Sequence, residues 1–237
     1  MMLRVSYFVP PAPLVEARER GLLGGIELEE TRTTGSPAQL EGLLAGELDI
    51  VVTAIDNLFE WVRAGADVRL VAQVEKTTPL TILGAPGIST IGELAGRRFA
   101  VDAYANGFAL VARHLLQRAD VDVEWVEVGG VTERLDALLA GEVAATLLGP
   151  PFDAQASSAG CGELARVQQE FPAFPGQGLV VRSSLIGSSE LDRFLAALGA
   201  SGLLPVDPAG LDLLTRIRAD LGLLPPGAEL RSLALHP

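Results

Sequence analysis

The residues able to do covalent or proton-transfer chemistry are few in this chain, and their spacing is poor for it. An acid–base catalyst working at neutral pH is most simply a histidine. The chain has two. His114 falls inside a helical stretch, and His236 stands beside the C-terminus. The single cysteine, Cys161, lies in Ala159-Gly160-Cys161-Gly162 and reads as an inert loop thiol, and one cysteine excludes an internal disulfide. No Cys/His spacing suits a metal ion, and no Gly-x4-Gly-Lys phosphate loop occurs. The sequence therefore assigns no catalytic residue, no metal ligand and no cofactor.

What remains is suited to holding a molecule. There are only 12 aromatic residues, and Tyr7, Phe8, Tyr104, Phe108 and Phe152 fall where apolar, strand-like runs end. Rings gathered at strand ends favour a planar or apolar ligand held by stacking, although each could equally plug a core. Polar candidates sit at the same kind of place. Thr33-Thr34-Gly35-Ser36-Pro37 and Asn106-Gly107 precede helical stretches, where free N–H groups meet an oxygen or are simply capped. Ser36 is the expected N-cap, with Pro37 as the first helical residue. Thr53, Asp56 and Asn57 close another strand and bind a ligand amine or cap the next helix. Val128-Gly129-Gly130 leaves room for close backbone approach at Gly130. Lys76, the only lysine, pairs an acidic ligand or is merely solvated. The ligand-binding candidates are thus Tyr7, Phe8, Thr33, Ser36, Thr53, Asp56, Asn57, Lys76, Tyr104, Asn106, Gly107, Gly130 and Phe152.

These residues are positioned by a repeat. Residues 3–57 and 98–152 read as two copies of one unit, offset by 95 positions without a gap. Gly35 to Glu47 and Gly130 to Glu142 share Gly-x4-Leu-x2-Leu-Leu-Ala-Gly-Glu. The same register pairs Ile26-Glu27-Leu28-Glu29 with Val121-Asp122-Val123-Glu124. Each copy reads as strand, helix, strand, helix, strand, with Gly46 and Gly141 as helix terminators. Further strands are expected at 68–73, 80–83 and 179–182, and closing helices near 191–198 and 209–221. Alternating strands and helices imply parallel sheets with right-handed crossovers. The duplication implies two lobes with a ligand cleft between them: residues 1–83 plus 180–237, and residues 84–179. Segments 81–85 and 177–181 would cross between them as a hinge.

Bulk properties narrow the partners. A net charge of −12 argues against nucleic acid and anionic membrane surfaces. No apolar run is long enough to span a membrane. The chain enters a strand at once from Met1-Met2-Leu3-Arg4-Val5, without a basic and apolar leader. A native start at Met1 would leave the protein in the cytoplasm; a trimmed leader would place it outside.

The layout resembles the type II periplasmic solute-binding protein superfamily, in the branch that binds sulfonates, taurine, nitrate and thiamine-pyrimidine precursors. The likeness is carried by Leu43-Leu44-Ala45-Gly46-Glu47-Leu48-Asp49-Ile50 followed by Thr53-Ala54-Ile55-Asp56-Asn57. It is carried also by Glu93-Leu94-Ala95-Gly96-Arg97-Arg98-Phe99, with Arg97 in place of the usual Lys, and by Gly149-Pro150-Pro151-Phe152. The resemblance implies an α/β, two-lobed, periplasmic-binding-protein-like (type II) fold, each lobe a mostly parallel sheet flanked by helices. It implies binding of one small molecule, and an ABC permease as partner if the protein is exported; the aromatic residues favour a small planar or heteroaromatic ligand, and the lack of a histidine near the strand-end loops favours binding without catalysis. The alternative is a cytoplasmic enzyme on the same fold, of the thiamine-pyrimidine or menaquinone pathway type. It would use Asp56, Asp102 or Asp153 as its acid or base.

Overall fold

A computed structural model describes residues 2–105 and 107–235. The first copy runs β1 (Met2–Tyr7), α1 (Ala12–Glu19), β2 (Glu27–Arg32), α2 (Ser36–Leu44), β3 (Ile50–Thr53) and α3 (Asn57–Arg63), and β4 (Val68–Gln73) and β5 (Thr81–Gly84) follow. The second runs β6 (Arg98–Val101), α4 (Ala109–Arg118), β7 (Glu124–Glu127), α5 (Val131–Leu139), β8 (Ala145–Leu148) and α6 (Phe152–Ser158). The chain ends with β9 (Gly162–Arg166), α7 (Val167–Glu170), β10 (Gly178–Arg182), α8 (Ser189–Gly199) and α9 (Pro208–Asp220).

The strands are apolar where both faces are covered. Ile50, Val51, Val52 and Thr53 are all buried, as are Ala145 to Leu148 in the second copy. The two helices named by the shared motif end alike. Gly46 and Gly141 take positive φ angles of 72° and 71°, which a side chain would resist. The cap of α2 differs from expectation. Gly35, not Ser36, is the N-cap, and Ser36 is the first helical residue, with Pro37 behind it in the first turn.

Two compact units result: Met1–Thr77 with Pro175–Asp212 and Pro225–Pro237, and Thr78–Phe174 with Leu213–Leu224. The first passage between them thus falls at Thr77/Thr78, ahead of β5. Each unit holds one five-stranded sheet, ordered β2-β1-β3-β10-β4 and β7-β6-β8-β5-β9. The sheets are topological copies, but neither is wholly parallel. β10 runs antiparallel to β3 and β4, and β5 runs antiparallel to β8 and β9. The reason lies in connectivity. β5 follows β4 of the other unit with no helix between, and β10 follows β9 of the other unit after only the four-residue α7, so neither has a crossover that returns it parallel. Segments 81–85 and 177–181 are therefore inner strands of their own sheets.

The strand registers refine the repeat. Val5 faces Glu30 and Ile50, whereas Phe99 faces Trp125 and Ala145. Trp125 and Ala145 lie 95 positions beyond Glu30 and Ile50, but Phe99 lies only 94 beyond Val5. The copies thus differ by one residue between the first strand and the rest, where the sequence alone aligned them without a gap. Three segments, α6, β9 and the four-residue α7, carry no element in the sequence reading. Residues 152–158 form α6, and β9 is a half-exposed edge strand whose Gly and charges hide its period.

One carboxylate fastens the amino end of the first sheet. Asp49 is buried and precedes β3. It accepts hydrogen bonds from Arg4 N (3.0 Å), Arg4 Nε (2.9 Å) and Arg4 Nη2 (2.8 Å), and a short one from Arg182. Arg4 lies on β1 and Arg182 ends β10, so three strands meet at one side chain. Burial opposes ionisation of Asp49, but the hydrogen bonds from Arg4 and Arg182 outweigh it and hold its pKa below the usual carboxylate range. The second unit keeps the same backbone bonds without the charge. Asp49 N donates to Arg4 O and Arg182 N to Asp49 O; correspondingly Ala144 N donates to Arg98 O and Ala85 N to Ala144 O.

Because the folded pKa of Asp49 is depressed, its stabilisation is full above the unfolded carboxylate pKa and is lost as pH falls below it. Asp49→Asn should cost about 2 kcal/mol at pH 7, less than a fully buried pair because both arginines reach solvent. Urea denaturation at pH 7 and pH 3.5 should show the gap between wild type and variant narrowing in acid.

Candidate functional site

The carboxyl ends of the parallel strands gather the loops in which most of the sequence candidates lie, in each unit separately. In the first unit these are the turns after β1, β2, β3 and β4. Thr33 N donates to Tyr7 O (3.0 Å), joining the first two turns. Thr33 Oγ1 then closes its own turn, donating to Gly35 O at 2.7 Å and accepting from Gly35 N at 3.2 Å. Ser36 is buried at the start of α2 and is engaged in a polar interaction. After β3, Asn57 Nδ2 donates to Thr53 Oγ1 (2.8 Å), and both residues are buried. Asn57 Oδ1 is enclosed and accepts no hydrogen bond. Asp56 beside it is buried and has a partner of its own.

Tyr7 departs from its expected role. Leu3, Val5 and Tyr7 share one face of β1, and all three lie in the core with Leu14, Ile50 and Phe194. The Tyr7 hydroxyl donates to Glu30 Oε2 (2.8 Å), and Glu30 also takes Arg18. Burial, then the Glu30 hydrogen bond, raises the Tyr7 pKa, so the phenol stays neutral. This ring is a core residue with a satisfied polar tip, not a free stacking surface. Phe8, the next residue, is half-buried, and Lys76 is exposed.

In the second unit the turns after β6, β7 and β8 are the equivalents. Tyr104 is 41% exposed. The Arg113 guanidinium lies over its ring at 3.9 Å from the centroid, and Arg113 Nη1 donates to Tyr104 O (2.9 Å). One face of that ring is therefore occupied. Gly107 is buried with φ 65°, a left-handed turn that glycine permits, and Asn106 before it lies outside the described residues. Gly130 is the N-cap of α5, in extended backbone. Phe152 is half-buried and packs against the core beneath α5. Cys161 belongs to that same core, and burial raises its thiol pKa; it is a packed residue, not a surface thiol.

Three polar residues at these edges escaped the sequence reading. Gln39, on α2, is fully buried, and its Nε2 donates to Val52 O (3.1 Å) and Ser6 O (3.4 Å). Arg134, on α5, is its counterpart 95 positions on. Arg134 Nη1 donates to Leu147 O (2.6 Å) and reaches Thr146 Oγ1 (3.5 Å), which donates to Ala100 O (2.9 Å). Leu147 and Ala100 are the copies of Val52 and Ser6, so one position clamps the same two strand ends in both units. Arg218 is wholly buried and donates to Ala105 O (3.1 Å), holding the loop after β6. A signal for Arg134 existed: it is the only basic residue between Arg118 and Arg166.

One cavity of about 490 Å³ lies by the C-terminal half of α4, lined by His114, Gln117, Arg118 and Asp220. None of the sequence candidates lines it. Burial lowers the His114 pKa despite Asp220 nearby, so this imidazole is neutral at pH 7.

The NMT1/THI5-like family profile matches residues 12–201. The chain belongs to the NMT1/THI5-like family. No curated protein matches the sequence. Among solved structures, a ligand-binding component of an ABC-type import system from Staphylococcus aureus, with zinc bound, is 17% identical, with TM-score 0.80, covering 100% of this chain and 97% of that one. The alkanesulfonate-binding protein SsuA from Xanthomonas axonopodis pv. citri, bound to MOPS, is 16% identical, with TM-score 0.75, covering 100% and 98%. PhnD1 from Prochlorococcus marinus, in complex with methylphosphonate, is 13% identical, with TM-score 0.64, covering 94% and 98%. The NMT1/THI5-like chain thus has the two-lobed type II periplasmic-binding-protein fold. Among its described residues no helix is long and apolar enough to cross a membrane.

The two tyrosines separate a core ring from a surface ring. Tyr7→Phe leaves Glu30 short of a donor and should cost about 1 kcal/mol of stability. Tyr104→Ala loses the cation–π contact with Arg113 and a tilted ring contact with Trp125 at the surface, and should cost about 0.5 kcal/mol. Urea denaturation of both variants measures the difference.

Proposed function

We propose that this protein is a solute-binding protein that closes its two units on one small molecule, in the manner of the substrate-binding component of an ABC-type importer. One observation carries the reading. The repeat brings loops and helix starts to the carboxyl ends of the parallel strands in both units, which is where α/β sheets take ligands. Buried polar atoms at those ends are only partly satisfied. Asn57 Oδ1 and Gln39 Oε1 in the first unit and Arg134 Nε in the second have no protein partner. A native interior rarely leaves such atoms unpaired, and a polar ligand or ordered water supplies what is missing.

The ligand contacts we assign are Phe8, Thr33, Ser36, Thr53, Asp56, Asn57 and Lys76 in the first unit, and Tyr104, Asn106, Gly107, Gly130 and Phe152 in the second. The structural relatives with MOPS and methylphosphonate support a small acidic solute. A planar ligand, favoured by the aromatic residues, rests on Phe8, Tyr104 and Phe152, since Tyr7 is a core ring. The enzyme alternative draws no support from the relatives. Of its carboxylates, Asp153 serves as a local acceptor for Ala154 N (2.8 Å), and Asp56 and Asp102 have partners.

Native mass spectrometry of the purified protein should show one small molecule per chain. After denaturation that molecule should be recovered with unchanged mass following hours of incubation with the protein. Recovery of a chemically altered product, formed by wild type but not by Asp56→Asn, Asp102→Asn or Asp153→Asn, would replace binding with catalysis.

A further inference from the structure

The two copies solve one local problem with different chemistry. In the first unit the residue that crosses from helix to sheet is Gln39, a neutral amide whose Nε2 meets Val52 O and Ser6 O. In the second unit it is Arg134, whose Nη1 meets Leu147 O directly and the Ala100 O side through Thr146 Oγ1. The acceptors are equivalent, so holding the strand ends needs a hydrogen-bond donor and no charge. The positive charge of Arg134 is surplus to that task.

That charge is also poorly compensated. Arg134 is partly buried, its Nε is fully enclosed, and Nε makes no hydrogen bond. A guanidinium carries five N–H donors and stays protonated in proteins. Among the described residues no ion pair forms to Arg134; its hydrogen bonds go to a carbonyl and a hydroxyl. Asp102, after β6, and Glu133, beside it on α5, are the carboxylates near enough to favour its charge, and burial still lowers its pKa. The buried carboxylate of Asp49, by contrast, is matched closely by Arg4 and Arg182. A buried cation without a directly bonded counter-ion is costly, and an anion placed against it gains strongly from the same low dielectric.

We propose that Arg134 is the residue that holds the acidic group of the ligand, by charge-assisted hydrogen bonds to a carboxylate, sulfonate or phosphonate. The inference rests on the solute-binding reading and its small acidic solute, and adds the residue that selects that acid. The guanidinium stands at the carboxyl edge of the second sheet, between the ends of β6 and β8, where the loops with Gly107 and Phe152 begin. Its bond to Leu147 O fixes its orientation, as a selective anion site requires.

The repeat supplies the control. Arg134→Gln reproduces what the first unit uses, so it should keep the clamp and fold normally while losing the charge. Titration calorimetry with methylphosphonate, MOPS and acetate should show at least one of these acids bound by wild type. Its affinity should fall at least about tenfold in Arg134→Gln, the scale of one charge-assisted hydrogen bond. Arg134→Lys, which keeps the charge but not the fork, should recover part of the loss. An unchanged melting temperature with unchanged acid affinity in Arg134→Gln overturns the assignment. If wild type carries a small molecule in native mass spectrometry but binds none of the three acids, the assignment to Arg134 fails and solute binding stands. If it carries nothing and binds nothing, both fail.

Discussion

The first unit depends on one buried carboxylate. Asp49 joins the start of β1, the start of β3 and the end of β10, and β10 is the strand that enters this sheet after the chain has built the second unit. A strand that comes in late, from the other unit and after only the four-residue α7, has no local sequence to set its register. Arg182 at its end and Asp49 at the head of β3 do so by charge. The second unit reaches the same sheet without the device. Ala144 stands where Asp49 would be, and β5 reaches its place between β8 and β9 through backbone bonds and the packing of Leu83 against Ala100 and Leu148. That β5 follows β4 directly, before the rest of its sheet is made, removes the need for a late anchor.

This divides each sheet into two ends with different work. The amino ends hold paired charges or plain backbone bonds. The carboxyl ends hold polar side chains that are incompletely satisfied, such as Asn57 and Gln39 in one unit and Arg134 in the other. Stability is secured away from the loops, so the loops can keep the unpaired groups that recognition requires.

Much of this was legible in the residues. The Gly-x4-Leu-x2-Leu-Leu-Ala-Gly-Glu repeat gave both helix–strand units, and Gly46 and Gly141 end their helices as read. The sheets are mostly parallel, as expected, with one antiparallel strand in each; for β5, the short link from Gln73 to Thr81, with no helix, was its sign. Tyr7 was read as a cleft ring because it ends a strand, but period-two alternation with Leu3 and Val5 had already put it on the core face. Cys161 reads from its glycine neighbours as a loop thiol, and only tertiary packing against α5 and α6 buries it. Arg134 stands at a variable position of the repeat, and its isolation between Arg118 and Arg166 was the one sequence signal. Its meaning comes from comparison with Gln39, and that comparison needs the strand ends in three dimensions.

The central claim, that a small acidic molecule binds at the carboxyl ends of the strands, is tested most directly by a crystal structure grown with methylphosphonate or with the compound that co-purifies. The account predicts density for one molecule with an acidic oxygen within hydrogen-bond distance of Arg134, beside the loops that hold Gly107, Gly130 and Phe152. Density in the cavity lined by His114, Gln117, Arg118 and Asp220, with the strand ends empty of ligand, would contradict it.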